Sequence, residues 1–233
     1  MIRMLIPNES IEVADWWFEY SDEGCIRFKD YNQIYDFLLK CQATYKILTK
    51  AELFYIERIQ FTSWMKYDVN TDENPHKTQK RDVVARFFHH IHPAKLADEC
   101  LEKITGNAEP FYYPLHIKFY GWGYIFNEFG HRIKRPTLMR FETITMGFPT
   151  IDISTYSDVW LPYDVYGKPQ PKVYELNAPR LQKALMEIRD VLGIEPVIDN
   201  TEIADQHEDF TISNKRDSLG DILVYDTAAR RVL

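Results

Sequence analysis

Cysteine is scarce in this chain and poorly placed for cross-linking. Cys25, Cys41 and Cys100 are odd in number and far apart, so they supply neither a disulfide framework nor a CxxC metal knuckle. A reducing, cytoplasmic setting is the expectation. Long apolar runs are also missing. Nothing approaches the ~20 residues that cross a bilayer, and the opening Met1 to Leu5 gives way at once to Pro7, Asn8 and Glu9 instead of a secretory core. No membrane partner is expected. Glycine is low, 9 of 233 residues, with no low-complexity run and no internal repeat, which excludes fibrous and disordered classes. An excess of positive charge is lacking as well. The formal net charge of -7 opposes phosphate-backbone binding, so no nucleic acid is expected.

Catalytic signatures are absent from the same text. There is no GxSxG elbow, no phosphate-binding Gly-Lys-Ser/Thr loop and no dinucleotide fingerprint. Gly121-Trp-Gly123 lacks the third glycine and reads as a β-turn.

What the chain has is material for a core: 45% hydrophobic and 15% aromatic residues, including 15 Tyr and 14 Phe. The length suits one α+β domain over residues 1–233. Tyr31 to Leu48 places Ile34, Tyr35, Leu38, Leu39, Tyr45 and Leu48 on one helical face. Thr49-Lys-Ala-Glu52 matches a capping box, predicting a second helix that buries Leu53, Ile56, Ile59 or Gln60, and Trp64. Residues 68–80 are polar and predict a mobile loop. A helix from Gln79 through Val83, Val84, Phe87 and Phe88 is expected to stop near Ile91, and another to begin with Pro93 in its first turn and end at Gly106.

The middle changes period. Phe111, Tyr113, Leu115, Ile117 and Phe119 alternate with more polar neighbours, as a half-buried strand requires. Further strands are predicted over 124–129, 138–146, 151–156, 159–165 and 221–225, with short links that imply an antiparallel sheet. Asn177-Ala-Pro179 reads as the opening of a C-terminal amphipathic helix, with Leu181, Ala184, Leu185, Ile188, Val191 and Leu192 on one stripe and Gly193 ending it. The predicted class is α+β: N-terminal helices, a central antiparallel sheet, and that last helix packed on it.

Four constellations could carry chemistry. Phe88-His89-His90-Ile91-His92-Pro93 offers imidazoles, but Pro93 takes His92 out of helical geometry and no HExxH grammar follows, so helix-end capping is the reading and no metal is expected. Asp152, Asp158 and Asp164 could gather a divalent ion. The run 156–171 around the last two reads better as turns capped by Asp with aromatics in the core. Of the thiols, Cys41 falls on an apolar helix face and Cys25 follows a turn glycine without a base nearby. His131-Arg132-Ile133-Lys134-Arg135 reads as a solvated basic loop, and the strand aromatics as core.

The remaining signal is acidic. Glu195, Asp199, Glu202, Asp205, Glu208 and Asp209 lie in a stretch with no Lys or Arg. Such a run can steer a cationic surface toward it. The expectation is a noncatalytic acidic protein that binds a basic protein through Glu202, Asp205, Glu208 and Asp209, with no cofactor and no catalytic residue. Its most concrete form is an immunity-type inhibitor of a basic toxin or nuclease. The alternative is a metal-dependent hydrolase or nuclease using some of His89, His90, Asp152 and Asp158.

Overall fold

A computed structural model describes residues 12–20, 31–65, 85–88, 92–106, 112–144, 149–226 and 231–232. Cys25, His89, His90 and the expected loop at 68–80 lie outside those residues. The chain runs β1 (Ala14–Glu19), α1 (Tyr31–Lys50), β2 (Tyr55–Met65), β3 (Ala85–Phe88), α2 (Leu96–Gly106), β4 (Tyr112–Phe126), β5 (Arg132–Pro136), β6 (Met139–Ile144), β7 (Thr150–Thr155), α3 (Pro171–Leu192), β8 (Val197–Ile198), β9 (Ala204–Gln206), β10 (Ile212–Asn214), β11 (Tyr225–Asp226) and β12 (Arg231–Val232). The fold is α+β. Eight strands form one sheet in the order β3-β2-β4-β6-β7-β1-β8, with β5 added to β4, and its described pairs are antiparallel.

Alternation decides the two faces of this sheet. Trp16 and Phe18, Ile117 and Phe119, Phe141, Ile151 and Ile153 point to one side and are buried. They share a core with Leu38, Cys41, Tyr45 and Leu48 of α1 and with Leu181, Leu185 and Ile188 of α3. Phe119 stacks on Phe141 at 4.5 Å, and Phe54 meets Phe141 edge-on at 6.1 Å. The stripe expected on the C-terminal helix is thus the buried one, apart from Val191, which is 55% exposed. The opposite face of the sheet carries Asp15, Glu142, Asp152, His116 and Lys118, in register across β1, β7, β6 and β4.

Several local expectations are corrected. The segment expected as a second helix is the strand β2, Tyr55–Met65, with Leu53 in the bend before it. Thr49 and Glu52 end α1 instead of opening a second one: the Leu53 N–H donates to Leu48 O at 2.9 Å, and Glu52 adopts φ 59°. The described part of the helix expected at 79–91 is the strand β3, paired to β2. Gly121 and Gly123 lie inside β4, not in a turn. They are glycines because the chain leaving α1 crosses directly over them: a Cβ would sit 2.1 Å from Tyr55 O or Leu53 O. Residues 159–165 are a 3-10 turn (Asp158–Trp160) and a loop rather than a strand.

The last helix begins at Pro171, well before Asn177, with proline at its first position, where a missing N–H costs nothing. Asn177 is fully buried inside it and bonds β4: its Oδ1 accepts from Phe126 N at 2.8 Å and its Nδ2 donates to Phe126 O at 2.8 Å. One turn on, Arg180 donates to Tyr124 O at 3.2 Å and to Ala51 O at 2.8 Å. The two side chains take the place of the strand that β4 lacks beyond the start of β2.

Candidate functional site

The acidic segment folds into a fixed hairpin. β9 and β10 pair with Asp205 opposite Ser213, and the turn between them closes through His207 N–H to Thr211 O at 3.0 Å. Ile203, Ala204, Phe210 and Ile212 anchor it in the core. Polar side chains lock its base: Gln206 N donates to Asn200 Oδ1 at 2.9 Å, Asp15 N to Gln206 Oε1 at 3.2 Å, and Thr201 Oγ1 to Val13 O at 3.0 Å. At the tip, Asp209 Oδ1 accepts from Thr211 Oγ1 at 2.6 Å and from Thr211 N at 3.0 Å. Those bonds hold the Asp209 carboxyl below its ordinary value, so its charge is fixed in place. Glu202, Glu208 and Asp209 are exposed and Asp205 is half-buried. The hairpin therefore holds Asp205, Glu208 and Asp209, with Glu202 in the bend that leads into it.

The other sequence candidates do not converge. Asp158 accepts from Val165 N at 3.1 Å, while Asp164 accepts from Tyr166 N at 2.9 Å and Lys168 N at 2.8 Å. Both cap turns in the loop after β7. His92 is exposed, and its Nδ1 accepts from Ala94 N at 3.2 Å at the start of a 3-10 turn. Cys41 and Cys100 are buried, and burial pushes both thiols up, away from the nucleophilic thiolate. Among the described residues, no group of three His, Cys, Asp or Glu side chains is placed to hold a metal ion.

Asp152 has different company. On the polar face of the sheet it lies beside Asp15 of β1 and opposite Glu142 of β6, which puts three carboxyls in a row across three strands. Arg140 Nη2 approaches Asp152 Oδ2 at 3.5 Å and Glu12 Oε1 at 2.9 Å, and its Nε lies 3.4 Å from Glu142 Oε1. Glu142 also takes His116 Nε2 at 2.9 Å and Lys118 Nζ at 3.3 Å.

The cations gather on Glu142. Although burial pushes its carboxyl up, the bond from His116 and the Arg140, His116 and Lys118 charges outweigh that and bring it down to about 2. Asp152 and Asp15 are 6% and 7% exposed. Burial and the neighbouring Asp15 charge push Asp152 up to about 9 against the pull of Arg140. Burial pushes Asp15 up as well. Asp15 Oδ2 accepts from Trp17 Nε1, whereas its buried Oδ1 has no hydrogen-bond partner. The pair can hold one proton between its two carboxyls through neutral pH, as adjacent carboxyls do when both cannot ionise.

Sequence reasoning missed Asp15, Glu142 and Arg140. The available signal was an acid flanked on both sides by apolar residues in a strand, as in Ile151-Asp152-Ile153.

The basic run 131–135 is also placed differently from expectation. Arg132 to Arg135 belong to the strand β5 rather than a loop, and Arg132 and Lys134 lie over aromatic rings of β4. Comparison of the chain with protein-family models, with curated proteins and with solved structures finds no match in any of the three.

Proposed function

We propose that the protein is a noncatalytic binder of a basic protein, most concretely an immunity-type inhibitor that neutralises a basic toxin or nuclease. The observation that supports this is the acidic hairpin. Its carboxylates stand on a backbone fixed to the core, so binding would order little that is not already ordered. Exposed carboxylates act over about a Debye length, ~8 Å at physiological salt, and hence mainly on association rate.

The test uses the product of an adjacent reading frame, where an inhibitor's target is commonly encoded. Replacing Glu202, Asp205, Glu208 and Asp209 by their amides is expected to slow association and flatten its salt dependence at an unchanged melting temperature. Parallel curves of rate against ionic strength for wild type and variant would remove the hairpin from the interface.

A metal-dependent hydrolase or nuclease is the alternative expectation, and among the described residues no group of three His, Cys, Asp or Glu side chains favours it. That reading requires divalent-ion binding that Asp152→Asn abolishes, measured by calorimetry with Mg²⁺ and Mn²⁺.

A further inference from the structure

The half-exposed face of β4 presents a row of rings, each capped by a cation. From His116 to Phe126 the strand alternates without interruption, burying 117, 119, 121, 123 and 125 and turning Tyr120, Trp122, Tyr124 and Phe126 outward. The Arg58 guanidinium lies 4.1 Å from the Tyr120 ring centre, Lys134 Nζ 3.8 Å from Trp122, Arg132 3.5 Å from Tyr124, and Arg180 4.7 Å from Phe126. Tyr55 stacks on Trp122 at 4.4 Å and Trp122 meets Tyr124 edge-on at 5.2 Å, which joins the rings into one layer. Among the described residues, Glu52 is the one carboxylate within ion-pair distance of these four cations, 2.6 Å from Arg132. On a chain of net charge -7 this is a local concentration of positive charge, and the rings hold it in place.

Arg132 and Lys134 belong to β5, which pairs with β4 and has no strand on its other edge among the described residues. Arg132, Lys134 and Pro136 are exposed and alternate with half-buried Ile133 and Arg135. We infer that this edge and ring face bind an extended acidic peptide segment, which adds to β5 as a strand and sets a carboxylate on each of Arg132 and Lys134. Residues two apart on a strand are about 6.8 Å apart, so acids at alternate positions of such a segment match the two cations. The register to β4 turns the N–H and C=O groups of Arg132 and Lys134 to the outer edge, where they can bind its backbone.

Nucleic acid fits the face less well. The ring faces are taken up by cations and by each other, which leaves no stacking platform for bases, and the net charge repels a long polyanion. Charged edge strands also guard against aggregation, but guarding needs charge alone and no ring beneath each cation. The inference is independent of the acidic hairpin.

The test is fluorescence anisotropy with a labelled peptide of alternating glutamate and threonine, at low and physiological ionic strength. The same peptide N-methylated at alternate backbone positions and an oligothymidylate serve as comparison probes. Saturable peptide binding is expected, weakened about tenfold by Lys134→Glu, as for loss of a charge-assisted contact, and lost on N-methylation. Lys134→Ala, expected to weaken binding in the same direction, replaces the charge reversal if that variant does not melt cooperatively. Any one of four results would overturn the inference: no peptide binding at low salt, binding indifferent to Lys134, equal binding of the N-methylated peptide, or tighter binding of the oligothymidylate.

Discussion

Asp152 should make this protein lose stability as pH rises above neutrality. A carboxyl whose pKa is raised by folding stabilises the native state fully below its unfolded value of 3.8, and that contribution is lost as pH climbs through the folded value of about 9. Between pH 7 and 9 an unfolded aspartate is already ionised, while Asp152 in the fold keeps its proton. One proton of difference is worth about 1.4 kcal/mol per pH unit. With the proton half lost at the upper limit, stability should fall by about 2 kcal/mol across that window, a sizeable share of a typical ~5–15 kcal/mol.

The neighbours do not cancel this slope. Asp15 is pushed up as well, in the same direction, so the two carboxyls contribute to this slope as a pair rather than against each other. Glu142 has the opposite sign: its stabilisation is present above 4.5, is lost as pH falls toward 2, and stays constant from pH 7 to 9. The buried thiols Cys41 and Cys100 add a decline of their own as unfolded cysteine ionises near pH 8.5. The control is therefore Asp152→Asn, which keeps a donor toward Asp15 and cannot ionise. Urea unfolding at pH 7, 8 and 9 should show the variant within about 1 kcal/mol of wild type at pH 7 and more stable than it at pH 9. Equal slopes for the two proteins would refute the shared proton.

Three further outcomes follow from packing. Leu185→Ala empties a fully buried position on α3 and should cost about 2–5 kcal/mol in chemical denaturation, while Lys183→Ala, on the exposed side, should stay within about 0.5 kcal/mol. Gly123→Ala drives a methyl onto Leu53 O and should destabilise by at least about 1–3 kcal/mol, read as a lower urea midpoint. Asn177→Ala leaves the Phe126 N–H and C=O without their partner and should cost about 2–3 kcal/mol, with faster hydrogen exchange at Phe126.

The elements legible in the sequence were those whose period was undisturbed. The α1 and α3 stripes, apart from the exposed Leu39 and Val191, and the alternation through Ile117 and Phe119 match the class and the core. β2 was misread because of a bulge: its register to β4 shifts between Ile56 and Arg58, so the buried residues Ile56 and Ile59 stand three apart and imitate one face of a helix. Thr49 and Glu52 carried a helix-start pattern, but the left-handed turn at Glu52 that ends α1 is set by the chain's return across Gly121 and Gly123, a tertiary constraint. The four acidic residues were legible as a charged run, though not as a hairpin, because β9 and β10 are too short to show a period. Asp15 and Asp152 lie far apart in the chain, and only strand pairing brings them together.

The clasp of Asn177 and Arg180 on β4 bears on the order in which the chain is made. When the sheet strands β1 to β7 have left the ribosome, the backbone groups of Tyr124 and Phe126 still lack the side chains that satisfy them, and the stripe that covers the sheet core is not yet synthesised. For the time taken to add residues 156–192, a few seconds at ~5–20 residues per second, the nascent sheet has an open end and an apolar face that α1 covers only in part. Folding is thereby tied to the emergence of α3, and a chain stalled before Asn177 would be a substrate for chaperones and proteases rather than a shortened native protein.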